Sequence, residues 1–250
     1  MSQSNKNSKE VKLPDVRGKY KLNASLAHLS WFKVGGNADI LFKPEDSEDI
    51  SSFLKQNINQ LPVMVLGAGS NIIIRDQGVE GVVVKLGRNF TNIEILSDNK
   101  LSVGAGCLNF NLAKFAQANA FAGFEFLVGI PGTIGGGVAM NAGAYGREFK
   151  DIVSSVFALD KNGNQHEIDV QDIGFSYRSN GLQEDLIFTK VIFNVSIGNS
   201  DQIQNKINQI NKARADTQPI TEKTGGSTFA NPDGYKAWEL IDKAKLRGIR

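Results

Sequence analysis

Residues 129–137 read Gly-Ile-Pro-Gly-Thr-Ile-Gly-Gly-Gly, with five glycines in nine residues. Glycine weakens the interior of a helix or strand, but it lets a ligand or another backbone come close. The stretch lacks the Lys-Ser or Lys-Thr ending of a P-loop, so binding of a nucleoside triphosphate with magnesium is not expected. Two interpretations stay open here, a ligand-binding loop and a pair of packing turns.

A second glycine turn follows a predicted strand and reads Leu66-Gly67-Ala68-Gly69-Ser70-Asn71. Successive backbone N–H groups in such a turn converge on an anion. The dinucleotide-binding fingerprint would need a third glycine and then a helix, whereas residues 72–74 are isoleucines that favour a strand. The turn therefore fits a phosphate site outside the Rossmann class, with a tight strand connection as the alternative. Together, the two glycine stretches suit one long ligand with a diphosphate and a flat ring.

Residues 121–140 must also be weighed as a membrane helix, because they carry a single charge, Glu125, and the spacing Gly132-x-x-x-Gly136. Six glycines and Pro131 oppose a continuous helix. We interpret the segment as turns with backbone facing a ligand, and we expect no membrane association.

The composition is that of a globular protein, with 250 residues, 41% of them hydrophobic, and a formal net charge of +2. Basic residues form no run of five or six, so no nucleic-acid partner is expected. Cys107, His28 and His166 cannot form a disulfide or a zinc cluster, which predicts a metal-free protein of a reducing compartment. Residues 1–10 are polar and predict a disordered tail rather than a signal peptide.

Apolar periodicity predicts an α+β fold of short strands and a few helices. A helix capped by Asp46 or Ser47 carries Ile50, Phe53 and Leu54 on one face. The predicted strands are residues 39–43, 62–66, 72–74, 81–86, 92–96, 100–104, 152–159, 165–170 and 186–197, and the further predicted helices are residues 108–120, a helix that begins at Ser200, and residues 235–247.

Asn162-Gly163 is a strong hairpin signal between two of these strands. The helix that begins at Ser200 carries Ile203, Ile207 and Ile210 on one face. We expect a disordered tail at residues 1–18, a first lobe at 19–106, a second lobe at 107–198 and the start of a third lobe at 199–250.

Six motifs follow one another along the chain. They are Trp31-Phe32-Lys33-Val34-Gly35-Gly36, Gly67-Ala68-Gly69-Ser70-Asn71, Gly129-Ile130-Pro131-Gly132-Thr133-Ile134-Gly135-Gly136, Asn141-Ala142-Gly143-Ala144-Tyr145-Gly146, Phe175-Ser176-Tyr177-Arg178 and Gly226-Ser227-Thr228-Phe229-Ala230-Asn231-Pro232. In order and rough spacing this set resembles the UDP-N-acetylenolpyruvoylglucosamine reductases, from about residue 20 to the last residue. The short segment from Arg178 to Phe193 is similar to the subtype without the tyrosine-bearing insertion.

The resemblance implies a two-lobed FAD-binding fold, shared with vanillyl-alcohol oxidase and p-cresol methylhydroxylase, followed by an α+β substrate lobe. It further implies a cytoplasmic oxidoreductase with NADPH as co-substrate. The substrate would be a UDP-sugar whose enolpyruvyl group is reduced to a lactyl ether in peptidoglycan precursor synthesis. His28 and His166 match no catalytic position, so we expect the FAD to be held non-covalently.

The same resemblance assigns the reaction centre to Arg178 and Ser227. Arg178 would bind the substrate carboxylate through its planar donor fork. Ser227 would donate the proton that the enol intermediate takes up. Without the motif, Arg178 would be read as a surface arginine and Ser227 as a turn or capping serine.

Further site residues follow from the matching motifs. Tyr177 and Asn231 would contact the substrate, and Lys212 and Arg214 are weaker candidates for its phosphates, or part of a solvated face. The residues that would bind FAD are Gly67, Ala68, Gly69, Ser70, Asn71, Gly129, Pro131, Gly132, Thr133, Gly135, Gly136, Asn141, Ala142 and Gly143.

The resemblance also bears on the last residues. Family members continue past the equivalent of Leu246-Arg247-Gly248 and use a late glutamate on the substrate, and Glu239 comes too early to take that role. We therefore expect a substrate lobe that is incomplete in this chain. An enzyme, completed by a separate chain, and a catalytically impaired flavin-binding fragment both stay open.

Overall fold

The structure, a computed structural model, describes residues 13–57, 60–97, 99–182, 185–217, 225 and 228–249. Its strands are β1 (Lys19–Ser25), β2 (Asn37–Lys43), β3 (Val63–Leu66), β4 (Val79–Lys85), β5 (Ile93–Leu96), β6 (Lys100–Gly104), β7 (Phe121–Ala122), β8 (Gly143–Ala144), β9 (Arg147–Glu148), β10 (Val153–Leu159), β11 (Gln165–Asp169), β12 (Ile187–Asn194) and β13 (Ser196–Ile197). Its α-helices are α1 (Ser47–Gln56), α2 (Asn109–Ala118), α3 (Ile134–Ala139), α4 (Val170–Ile173), α5 (Ser200–Thr217) and α6 (Ala237–Lys243). The predicted mixture of strands and helices is confirmed.

The first sheet has the strand order β1-β2-β4-β3, and α1 packs on one of its faces. Strand β4 pairs in parallel with both β2 and β3, and its residues 81–84 are buried, as is typical of a parallel strand covered on both faces. The predicted helix cap is confirmed at Asp46, whose carboxylate accepts the Asp49 N–H at 2.9 Å. The predicted face of α1 is also confirmed, because Ile50 and Phe53 are fully buried and Leu54 nearly so.

The second sheet is antiparallel throughout and has the strand order β11-β10-β12-β6-β5. The hairpin signal Asn162-Gly163 is confirmed by the antiparallel pairing of β10 with β11. Helix α5 begins at Ser200 as predicted and buries Ile203, Ile207 and Ile210 against this lobe.

Three predicted elements differ from the structure. Residues 72–74 form no strand, and Ile74 is instead buried in a hydrophobic cluster with Leu66 and Val83. The single strand predicted at 186–197 is two strands, since β12 ends at Asn194 and β13 pairs with β7 outside the second sheet. The last helix is shorter than residues 235–247, and Trp238 on it is 62% exposed.

Residues 121–140 form turns and short elements, as the glycine count indicated. The segment contains β7, a 3-10 helix at Glu125–Gly129 and the six-residue α3. No helix in the described ranges has both the length and the apolar character needed to cross a membrane.

A contact between the β10–β11 turn and α1 joins the two lobes. Ser51 Oγ donates to the carbonyl oxygen of Gly163 at 2.6 Å. Gly163 has a φ of +77°, and a Cβ atom there would lie 2.5 Å from the Ser51 carbonyl oxygen. The close approach of turn to helix therefore depends on glycine.

We expect Ser51→Ala to lower the free energy of unfolding by about 1 kcal/mol, because it removes one short neutral hydrogen bond between the lobes. The neighbouring Ser52 is exposed, so Ser52→Ala is the matched control and should leave the stability nearly unchanged. Urea unfolding followed by circular dichroism measures both variants. Equal midpoints for the two would show that the Ser51 bond adds nothing to the joining of the lobes.

Candidate active site

The two glycine stretches meet on the wall of one cavity of about 1120 Å³. Gly67 and Ala68 contribute to the wall from the first stretch, and Thr133, Gly135 and Gly136 contribute from the second. Pockets for small ligands usually measure about 300–1,000 Å³, so this cavity has room for a large cofactor. The structure thus brings together two segments that the sequence suggested for one long ligand.

The first glycine turn is fitted closely against the second stretch. A Cβ atom on Gly67 would lie 2.6 Å from Thr133 Oγ1, so only glycine leaves the existing contact unchanged. Ser70 Oγ donates to the carbonyl oxygen of Pro131 at 3.1 Å. The Trp31 N–H donates to the Gly69 carbonyl oxygen at 2.9 Å, which ties the first motif of the chain to this turn.

The second stretch is anchored to the end of β6. The N–H groups of Ile134 and Gly135 donate to the carbonyl oxygens of Cys107 and Ala105, each at 2.8 Å. These bonds fix the start of α3 beside the cavity. The other residues predicted to bind FAD are not among those that line this cavity, namely Gly69, Ser70, Asn71, Gly129, Pro131, Gly132, Asn141, Ala142 and Gly143.

Asn141 is buried and links three parts of this region. Its amide nitrogen Nδ2 donates to Glu148 Oε2 at 2.8 Å and to the carbonyl oxygen of Ser176 at 3.1 Å. Its Oδ1 accepts the Lys150 N–H at 3.1 Å. The residue therefore positions the loop that carries Tyr177 and not the cavity wall itself.

Arg178, one of the two reaction-centre candidates, follows Tyr177 in this loop. The Arg178 guanidinium lies 5.5 Å from the centre of the Tyr177 ring, and Arg178 has a left-handed φ of +56°. The Asn231 N–H donates to the Tyr177 hydroxyl at 3.3 Å, which joins two motifs that are 54 residues apart. Ser227 lies outside the described residues.

The two weaker phosphate candidates on α5 differ from each other. Arg214 Nη1 donates to the carbonyl oxygen of Val128 at 3.3 Å, and its buried Nε has no hydrogen-bond partner. Lys212 is exposed. Only Arg214 therefore approaches the second glycine stretch.

The cysteine and histidines occupy other places. Cys107 is buried, and burial raises the pKa of its thiol to about 11. His28 is exposed, and His166 Nε2 lies 2.9 Å from Asp160 Oδ2 on the β10–β11 hairpin. The part of the chain that the structure describes holds no group of three or more metal-binding side chains.

Sequence reasoning missed part of the cavity wall, including Lys85, Gly106 and Phe188. Lys85 could have been found, because strands 62–66 and 81–86 were both predicted and parallel neighbours end at the same edge of a sheet. In the structure Lys85 pairs in register with Leu66, directly before the glycine turn. Phe188 carries no local signal for a cavity position.

The cavity's chemistry fits FAD. The glycine turn supplies backbone at close range, Lys85 supplies a positive charge, and Leu54 and Phe188 supply apolar surface for flat rings. A flavin dinucleotide needs this combination, because its diphosphate is anionic and its two ring systems are flat and largely apolar.

Comparison with known proteins agrees with this chemistry. The family profile described as FAD binding domain matches residues 38–169. The profile described as UDP-N-acetylenolpyruvoylglucosamine reductase, C-terminal domain, matches residues 218–250. UDP-N-acetylenolpyruvoylglucosamine reductase of Rickettsia rickettsii (strain Sheila Smith) is 65% identical over 238 residues, which are 95% of this chain and 80% of that protein.

Comparison with solved structures agrees with these sequence matches. The crystal structure of UDP-N-acetylenolpyruvylglucosamine reductase (MurB) from Thermus caldophilus superposes with a TM-score of 0.79 at 31% identity, over 94% of this chain and 83% of that one. Physcomitrella patens BBE-like 1 matches with a TM-score of 0.53 at 17% identity, over 72% of this chain and 42% of that one, which shows the fold alone. The predicted α+β FAD-binding fold is confirmed. With these matches, the chain belongs to the UDP-N-acetylenolpyruvoylglucosamine reductase family of FAD-dependent oxidoreductases.

Proposed function

We propose that the chain reduces the enolpyruvyl group of UDP-N-acetylglucosamine enolpyruvate to give UDP-N-acetylmuramate, with NADPH as the reductant, in peptidoglycan precursor synthesis. The observation that carries the proposal is the meeting of both glycine stretches on one cavity wall, with the Tyr177–Asn231 contact joining the two substrate motifs. The names of the relatives support the substrate class.

The cofactor residues hold and orient FAD in this proposal. Gly67 and Ala68 would offer backbone N–H groups to the anionic diphosphate, and Thr133, Gly135 and Gly136 of the facing segment would contribute to the same wall. The two-electron transfer from NADPH to the enolpyruvyl group is the chemistry that FAD supplies when it is bound. The protein groups need only hold the reacting atoms in line and keep water out.

The substrate residues hold the sugar nucleotide and move the proton. Arg178 binds the substrate carboxylate. It also stabilises the negative charge that develops beside this carboxylate when the β-carbon of the enolpyruvyl group is reduced. Ser227 gives its hydroxyl proton to the α-carbon, which completes the lactyl ether. Tyr177 and Asn231 contact the substrate from the two loops that their mutual hydrogen bond joins.

Arg178 is a suitable residue for its role. Its guanidinium is always charged and offers two parallel N–H groups to a carboxylate. The neighbouring Tyr177 ring restricts the orientation of the guanidinium, and the hydrogen-bonded turn from Ser176 to Ser179 fixes the backbone on both sides. A fixed fork loses less conformational entropy on binding than a flexible lysine would lose.

The test is a purified protein supplied with each reactant in turn. Flavin absorbance should accompany the protein through gel filtration and separate from it on acid precipitation, because the FAD is held non-covalently. Without oxygen, NADPH should reduce the bound flavin once, and continued consumption of NADPH should require the enolpyruvyl UDP-sugar and give a product two hydrogen atoms heavier.

Each outcome decides one part of the proposal. A protein that binds no FAD even when FAD is added contradicts the proposal as a whole. A protein that keeps FAD and is reduced by NADPH, but leaves the enolpyruvyl sugar unchanged, is the impaired flavin-binding protein that the sequence left open.

A further inference from the structure

Lys85 is a half-buried cation in the cavity wall, at the point where β4 ends beside the first glycine turn. It is paired in register with Leu66 of β3, so its side chain starts next to Gly67. Its ammonium group Nζ donates a hydrogen bond to the Gly67 carbonyl oxygen. The charge is therefore fixed at the entrance of the turn that the sequence indicated for a phosphate.

The surroundings of Lys85 do not neutralise its charge. Other cations of the chain, such as Arg17 and Lys150, pair with carboxylates. Lys85 forms no such ion pair within the described ranges, and its hydrogen-bond partner is a neutral carbonyl. Burial lowers the pKa of the Lys85 ammonium group, and the charge of Lys43 lowers it further.

An ammonium group carries three N–H donors, and the Gly67 carbonyl uses one of them. The other two can serve an anion in the cavity. A partly desolvated cation without a carboxylate partner costs free energy in the empty protein, and an anionic ligand that meets it recovers this cost. The cavity wall also contains Lys55 and Lys161, but both are exposed to water.

We propose that the Lys85 ammonium group is the counter-charge of the FAD diphosphate, and that it holds the Gly67 carbonyl at the same time so that the turn's N–H groups face the phosphates. The proposal rests on FAD binding at the glycine turns, which is part of the proposed function. It adds a charged side chain to a site otherwise made of backbone, and it makes FAD affinity depend on ionic strength.

The test compares Lys85→Met, Lys85→Gln and Lys85→Arg with the unchanged protein and with Lys161→Met as the matched control. The dissociation constant of FAD is measured by the flavin fluorescence released when the holoprotein is diluted, at low and at high salt. Displacement of FAD by ADP and by adenosine is measured on the same samples.

Lys85→Met and Lys85→Gln are expected to weaken FAD binding about 10- to 100-fold, as the loss of a hydrogen bond to a charged group does. The dissociation constant of ADP, calculated from the displacement data with each variant's own FAD affinity, should rise in these variants, whereas that of adenosine, which lacks phosphate, should be the same in all of them. Lys85→Arg should keep most of the affinity, and Lys161→Met should change little. The salt dependence of FAD binding should be weaker in the two neutral variants.

The opposite results separate the explanations. Equal losses for ADP and adenosine would mean that Lys85 only shapes the turn, and an equal effect of Lys161→Met would mean general attraction by the cavity's lysines. Either result overturns the counter-charge role. If the unchanged protein itself binds no FAD, the proposed function fails, which is a different outcome from a failure of Lys85 alone.

Discussion

Ser227→Ala is expected to slow reduction of the enolpyruvyl sugar by about a hundred- to ten-thousand-fold, which is the usual contribution of one well-placed proton donor. The rate at which NADPH bleaches the flavin absorbance should change little, because no proton from Ser227 enters that half-reaction. Anaerobic stopped-flow measurement of the two half-reactions separates the effects. The expected signature is therefore a large change in one rate and almost none in the other.

Thr228→Ala is the matched control, since it removes the neighbouring hydroxyl from the same loop. It should leave both half-reactions close to those of the unchanged protein. A donor role for Ser227 is excluded if Ser227→Ala slows both half-reactions equally, or if Thr228→Ala slows sugar reduction just as much. A solvent isotope effect on the second half-reaction that is lost in Ser227→Ala would support the role further.

The elements that the sequence predicted well are those decided by local signals. Helix α1 follows from an Asp46 cap and three apolar residues at helical spacing, and the β10–β11 hairpin follows from Asn162-Gly163. Each of these signals lies within a few residues of the structure that it specifies. The burial of Ile50 and Phe53 then follows from the periodicity.

The elements that failed depend on partners elsewhere in the chain. Residues 72–74 have the composition of a strand, but they pair with no strand, and Ile74 packs into the core beside Leu66 instead. The break after Asn194 arises because β13 pairs with β7, which lies far away in sequence. No local pattern shows which strands will pair, because composition gives only a preference for strand and the pairing depends on partners elsewhere in the chain.

The residues of the candidate site also separate into those with a local sequence signal and those that depend on distant parts of the chain. The glycine stretches could be recognised and could be expected to share one ligand, because their composition is unusual within either stretch alone. Lys85 could be placed at the cavity only by inferring that the predicted strands 62–66 and 81–86 are neighbours, and Phe188 carries no local signal for a cavity position. The motifs that contain Tyr177 and Asn231 could each be recognised in the sequence. Their contact could be found only from the three-dimensional arrangement of the two loops.

The loop that carries Arg178 is held against the end of α3 by two amide side chains. Asn180 Nδ2 donates to the carbonyl oxygen of Ala139 at 2.8 Å, and Asn141 Nδ2 donates to that of Ser176 at 3.1 Å. Ala139 is part of the cavity wall, so these bonds connect the proposed substrate residue to the proposed cofactor site. The position of Arg178 relative to the cavity wall therefore depends on them.

We expect Asn180→Ala to lower kcat for sugar reduction by about a hundredfold, because a displacement of roughly 1 Å in a positioning group can cost that much. FAD affinity should change little, since the glycine stretches keep their own backbone bonds to Cys107 and Ala105. Asn180→Asp retains the oxygen that accepts the Leu182 N–H but loses the N–H donor to the Ala139 carbonyl oxygen. We therefore expect its kcat to be lowered as well. Steady-state kinetics and FAD titration together measure these effects.

Ser179→Ala serves as the control because Ser179 is exposed and its hydroxyl bonds only to the neighbouring Asn180 carbonyl oxygen among the contacts described. It changes the same turn without releasing the turn from α3, and kcat should stay near that of the unchanged protein. If Asn180→Ala weakens FAD binding as strongly as it lowers kcat, the amide supports the cavity rather than Arg178. If Asn180→Asp keeps full activity, the bond to Ala139 does not position Arg178 at all, because that variant has lost this donor and little else.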